Sequence, residues 1–281
     1  LEFIVKEDHS APVVSVQAWV RTGSSLEDEF LGCGISHLLE HMVFKGTGTR
    51  GPAEHARLVQ SIGGYLNAYT SFDRTVYYID APVEGVETVF DVLTDLVARA
   101  AFPEEEFEKE KDVIRREIDM GEDDPDTKNS HVLFETVFRV HPMGQPIIGH
   151  LDLFNTVTRE QMVGYYRRHY APNNMFFVVA GPVTADQVEA MLTARVGDVP
   201  RAVLKPTLVP AEPEQLGRRE AHVEFPTELS KLTLSWRVPG LTHPDVPALE
   251  ELGDILGHGR SSRLYRRLRD QWDEPPVARL G

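Results

Sequence analysis

Apolar and polar residues alternate through Val14-Ser15-Val16-Gln17-Ala18-Trp19-Val20, the period of two expected of a half-buried strand. Leu1-Glu2-Phe3-Ile4-Val5 reads as an earlier strand. A helix is predicted from Gly34 to Phe44, ended by Lys45-Gly46 and a Gly-Thr-Gly turn. Pro52 opens a short helix to about Ile62, stopped by Gly63-Gly64. Tyr65–Thr70 and Arg74–Ala81 are β-rich and separated by Ser71-Phe72-Asp73, which predicts a hairpin. Val83–Ala101 carries Val86, Phe90, Leu93 and Val97 on one stripe, a helical pattern. Pro103 starts a further helix to about Met120, and Asp124-Pro125-Asp126 breaks it before another that runs through Val137. Arg159–His169 and Ala185–Val196 read as helices, with a buried strand at Met175–Ala180 between them.

Pro200, Pro206, Pro210 and Pro213 fall in a stretch without a clear period, which marks a linker. Beyond it, Leu232-Thr233-Leu234-Ser235-Trp236-Arg237-Val238-Pro239-Gly240 echoes the Val14–Gly23 segment. Each is a predicted strand that carries a Trp, closes on a Gly and precedes a helix, so a duplicated domain is expected. The organisation read from this is a first domain at 1–200, a linker at 201–218 and the start of a truncated second copy at 219–281. The fold class is α+β: an antiparallel sheet with helices on one face.

The chain's 281 residues include 29 Lys and Arg against 44 Asp and Glu, a net charge of −15. That balance disfavours a nucleic-acid partner, which is held by cations that displace phosphate counterions, and disfavours adhesion to anionic lipid. No apolar run approaches the roughly 18 residues of a membrane span. A soluble protein of the cytoplasm or periplasm is expected, with the compartment itself left open. Cys33 is the single cysteine, so an intrachain disulfide framework and a multi-cysteine zinc site are both excluded. The chain opens on Leu1 rather than Met, and is expected to be a processed product or a fragment.

The chemistry concentrates in His37-Leu38-Leu39-Glu40-His41. Residues four apart on a helix lie one turn apart on one face, so both imidazoles reach one ion. Zn²⁺ accepts neutral His nitrogens at ~2.0–2.1 Å. Glu40 directly precedes the second His, which places its carboxylate beside the metal, the inverted order of the His-Glu-x-x-His motif. Such a Glu takes a proton from water activated by the metal and passes it to the leaving amine. A catalytic zinc with two His ligands needs a third protein ligand. Glu110 and Glu117 are seven apart in the predicted acidic helix and share a face. Val113, Ile114 and Ile118 flank that face and are expected to bury it, but spacing alone does not choose between the two carboxylates.

Gly34-Ile35-Ser36-His37-Leu38-Leu39-Glu40-His41-Met42-Val43-Phe44-Lys45-Gly46-Thr47 resembles the signature of the inverted-motif zinc peptidases of family M16. Pitrilysin, insulin-degrading enzyme and mitochondrial processing peptidase belong to that family, and the chain looks like a bacterial processing-peptidase-like member of it. There the third ligand is a Glu some 75 residues past the second His, and Glu117 lies 76 past His41. The resemblance implies that Glu117 binds the one Zn²⁺ with His37 and His41, that Glu110 supports the site and that Glu40 is the base. Gly63-Gly64-Tyr65-Leu66-Asn67-Ala68-Tyr69-Thr70-Ser71 resembles the family's active-site edge strand, where Asn67 and Ala68 would offer backbone groups to an added substrate strand.

The family has two or four homologous domains, with a second domain or subunit closing a chamber around a peptide or unfolded-protein substrate. Gly257–Tyr265 resembles the start of a helix in that second domain. The helix commonly carries an Arg, matched by Arg269, and a Tyr seven residues later, where this chain has Pro276. Both would reach the substrate carbonyl, and 270–281 departs from the family pattern. The implied activity is a zinc-dependent endopeptidase. The alternative is a non-catalytic, peptide-recognising or scaffolding subunit of the same fold.

Overall fold

The computed structural model describes residues 1–270. The chain forms two compact units, Leu1–Ala221 and the segment from His222 onward. The first contains strands β1 (Glu2–Glu7), β2 (Val13–Val20), β3 (Tyr65–Thr70), β4 (Thr75–Pro82) and β5 (Met175–Gly181). They form one sheet in the order β1-β5-β2-β4-β3. Its pairings are antiparallel except that of β1 with β5. That parallel pair joins the first and last strands of the unit, so nearly the whole unit lies in the connection between them.

Alternation decides which face is buried. Val14, Val16, Ala18 and Val20 of β2, Tyr77, Ile79 and Ala81 of β4, and Phe177 and Val179 of β5 form one wall of the core. Helices supply the other wall. The α1 helix (Ile35–Val43) is followed by α2 (Glu54–Ser61), α3 (Val86–Arg99), α4 (Glu104–Asp123) and α5 (Pro125–Val137). Then come α6 (Leu151–Thr156), α7 (Arg159–His169) and α8 (Ala185–Val196). Phe90, Leu93 and Val97, three of the four residues of the predicted α3 stripe, are fully buried. The opposite face of the sheet keeps Ser15, Gln17 and Trp19 half-exposed, with Trp19 stacked on Phe176 at 5.6 Å. α6 is not apparent from the sequence, because six residues are too few to display a helical period.

Residues 200–221 have no regular structure but are stitched to the first unit. Glu212 accepts the Val140 and His141 N–H groups at 2.7 and 3.0 Å, and Arg219 donates to the Val137 carbonyl at 2.7 Å. In the second unit α9 spans Val246–Gly257 and a short helix, α10, spans Arg263–Tyr265. The strand predicted at Leu232–Gly240 does not form, and Leu232 and Trp236 are 84% and 77% exposed. A strand is held by its partner's hydrogen bonds, and among the described residues of this unit no other strand lies beside it. No helix among the described residues is long and apolar enough to cross a membrane.

Candidate metal centre

α1 buries Ile35, Ser36, Leu38, Leu39, Met42 and Val43 and leaves His37, Glu40 and His41 half-buried, and Phe44 and Lys45 continue that line just past its end. That stripe has the 3.6-residue helical period, so the fold turns the motif's polar residues to one side. Ligand atoms of His37, His41 and Glu117 all lie within 4.8 Å of one another. His37 Nε2 is 3.9 Å and His41 Nε2 3.8 Å from the Glu117 carboxylate. Two imidazole nitrogens and one carboxylate around one point suit Zn²⁺ in donor type.

Electrostatics favour ligand-ready forms. Burial, then the neighbouring His41, holds the His37 imidazole down near 3, so it keeps the lone pair a metal needs. His41 Nδ1 is 2.8 Å from Glu110 Oε1, which leaves Nε2 to face Glu117. Lys45 Nζ meets the other Glu110 oxygen at 2.5 Å. Burial opposes the charge on Glu110, but the His41 and Lys45 contacts outweigh it and hold the carboxylate below its usual range. Burial raises Glu40 above the usual range, and Thr70 Oγ1 donates to its Oε2 at 2.6 Å.

One expectation changes: the face shared by Glu110 and Glu117 is buried only at Glu110, which is 5% exposed, whereas the Glu117 side chain is 48% exposed and Val113 also faces outward. Ile114 and Ile118 define the buried line of α4, with Phe107, Glu110 and Lys111, while Glu117 falls off it towards the histidines. Glu110 meets the site through the His41 ring. Lys45, which completes this arrangement, went unrecognised, since a lone Lys at a helix end carries no signal of its own.

β3 is an edge of the sheet. The Ala68 N–H donates to the Asn67 side-chain Oδ1 at 2.9 Å, which turns it towards the open side. Backbone groups alternate along an antiparallel edge, so those of Asn67 point to β4 instead. Of the two residues expected to offer backbone groups, only Ala68 therefore turns them to the open edge, and Asn67 presents its side chain there. Arg269 lies in the second unit with its guanidinium 5.8 Å from the Tyr265 ring. Pro276 lies outside the described residues.

Sequence reasoning also passed over Glu27, whose side chain is aimed at the beginning of α1. Its Oε1 accepts the Ser36 N–H at 2.9 Å, and the residue is 1% exposed. Burial pushes this carboxyl up to about 8, against the opposing pull of its hydrogen bonds. A single Glu in an aperiodic segment offers no sequence cue.

Comparison with known proteins locates the chain. Residues 2–150 match the family model for insulinase (peptidase family M16), and 156–273 match that for the peptidase M16 inactive domain. An uncharacterised zinc protease of Mycobacterium leprae is 32% identical over 91% of this chain and 58% of its own length. A probable mitochondrial-processing peptidase subunit beta of Arabidopsis thaliana is 30% identical over 92% of the chain and 49% of its length. A protease from Helicobacter pylori shares the fold, with a TM-score of 0.83 at 24% identity over 96% of this chain and 66% of that one. The chain spans 58–59% of the length of the mycobacterial relatives it matches.

Proposed function

The chain belongs to peptidase family M16, and on that premise we propose that it carries the catalytic site of a zinc-dependent endopeptidase acting on peptides or unfolded polypeptides. The observation that carries the reading is the convergence of His37, His41 and Glu117, with Glu40 presented on the same stripe of α1. All of these residues fall within the 2–150 match, and none within the segment matched to the inactive-domain model.

His37, His41 and Glu117 would hold Zn²⁺, and when bound it would supply Lewis acidity to a water and to the scissile carbonyl. Glu40 takes the proton of the attacking water and returns it to the leaving amine nitrogen. Thr70 occupies one oxygen of that carboxylate, which orients the other for the proton. Burial raises the Glu40 carboxyl above its usual range, which makes it a stronger base for that proton. Glu110 fixes the His41 ring, and so the direction of its Nε2 lone pair. The open edge of β3 takes an extended peptide as an added strand, with Ala68 offering its backbone. A second homologous domain or subunit closes the chamber.

The alternative, a non-catalytic peptide-recognising or scaffolding subunit, has less support because the ligand set and Glu40 are intact. The test is Glu40→Gln in the full-length protein. Stoichiometric zinc should be retained, while peptide hydrolysis falls about 10²–10⁴-fold. Undiminished hydrolysis would remove Glu40 from the chemistry, and a wild-type protein without zinc or peptidase activity would favour the scaffold.

A further inference from the structure

α1 begins with a glycine that cannot cap it. Gly34 stands at φ 67°, the left-handed region, and makes no side-chain hydrogen bond to the helix. A Cβ there would lie 2.0 Å from the Ile148 carbonyl oxygen, so no capping residue fits the position. The first N–H groups of a helix nevertheless need acceptors. Glu27, nine residues before Ser36, supplies one: its Oε1 takes the Ser36 N–H. The Ser36 hydroxyl is held in turn by Tyr165 Oη at 2.9 Å, which also meets Thr22 Oγ1 at 3.0 Å. Ser36 immediately precedes His37, so this clamp acts on the turn that presents the first histidine of the motif. His37 Nδ1 itself is buried without a hydrogen-bond partner among the described residues, so the ring has no side-chain anchor there. Its direction rests on the backbone that carries it.

We propose that Glu27 is a positioning residue for the metal centre: its buried carboxyl, bonded to the Ser36 N–H, locks the first turn of α1 and thereby aims His37. The inference rests on the zinc reading above, and goes beyond it in assigning a role to a side chain outside the motif. The clamp works as a hydrogen-bond acceptor rather than as a charge. Among the described residues Glu27 Oε2 has no hydrogen-bond partner and no cation pairs with the carboxyl. A glutamine keeps the acceptor and removes the charge; a methionine keeps the length and removes the acceptor.

The experiment measures zinc affinity of the full-length protein by chelator competition. It also records the visible spectrum of the cobalt-substituted protein, which reports ligand geometry, and thermal unfolding of the metal-free form. Wild-type protein that binds no zinc would fail the metal reading and not this one. Given wild-type binding, Glu27→Gln should keep the native affinity and spectrum. Glu27→Met should bind zinc about 10–100-fold more weakly, the scale of lost outer support, with an altered cobalt spectrum. Because Met also removes an unpartnered buried oxygen, this loss should appear without a matching fall in the thermal midpoint. If Glu27→Met is folded and binds zinc with native affinity and spectrum, the proposal is overturned. The same holds if Glu27→Gln loses as much affinity as Glu27→Met. Should Glu27→Met not fold, Glu27→Gln decides by its spectrum and affinity alone.

Discussion

Glu110→Ala is the perturbation whose effect the geometry specifies best. The carboxylate is buried and bridges two groups, His41 Nδ1 at 2.8 Å and Lys45 Nζ at 2.5 Å. Alanine strips both at once. The imidazole loses the partner that fixes its tautomer and plane, which typically costs about 10–100-fold in metal affinity. That range corresponds to about 1.4–2.8 kcal/mol. The ammonium is left without its partner. Breaking one side of a fully buried pair costs about 3–5 kcal/mol, but Lys45 is 27% exposed and water reaches it. A loss of folding stability of about 1–3 kcal/mol is therefore expected, the scale of an unsatisfied polar group. Glu110→Gln keeps an oxygen for His41 and should lie near the tenfold end. Lys45→Met removes the cation, so the pair Lys45→Met and Glu110→Ala should couple in stability and not in metal binding. Zinc affinity comes from chelator competition and stability from urea unfolding of the metal-free protein. Native zinc affinity in folded Glu110→Ala would refute the claim that this carboxylate orients His41.

Three further outcomes are expected. Replacing His37 and His41 together by alanine should abolish zinc binding while the fold persists on its sheet and helix core; stoichiometric zinc in that variant would refute the ligand assignment. The acidic residues of α4 and of the turn to α5 are expected to draw basic peptides, so these should be cleaved faster than matched acidic ones at low ionic strength. Equal rates without salt dependence, measured on the full-length protein, would leave that surface without a part in selection. Burial, with the Arg168 charge second, holds His169 near 4. Between its unfolded value of about 6.5 and that point only the unfolded chain binds the proton, so stability drops by on the order of 3 kcal/mol as the pH is lowered through that window. His169→Phe should flatten that fall in urea unfolding, and an unchanged slope would exclude His169 as its source.

The elements of the first unit were legible wherever a period ran long enough to be heard. β2, the β3–β4 hairpin and α1 declare themselves by alternation or by a 3.6-residue stripe, and the structure places them within a residue or two of expectation. The inverted motif was legible for the same reason, because four residues of spacing on a helix is already a statement about geometry. What escaped depends on contacts between distant segments. Which of Glu110 and Glu117 is buried turns on where α4 packs, and Ile114 and Ile118 decide it. Glu27 and Lys45 reach their partners across 9 and 65 residues of sequence, and neither has a local pattern. Leu232–Gly240 shows the converse: a sound strand pattern does not by itself make a strand, and among the described residues of its unit no strand lies beside it.

The Asn67 side chain resting on the Ala68 N–H has a thermodynamic consequence for anything that docks on β3. An edge donor that is already satisfied is not a free source of affinity. A peptide carbonyl arriving there exchanges one hydrogen bond for another, and the balance of such an exchange lies near zero. The same stopper blunts the edge against its counterpart on another copy of the chain, since an indiscriminate strand would gain nothing from that contact. What remains to favour docking is register. A ligand that displaces Asn67 without presenting a carbonyl at Ala68 leaves the donor unpaired, and is disfavoured by about 1–3 kcal/mol. The edge thereby proofreads backbone alignment before any side chain is read.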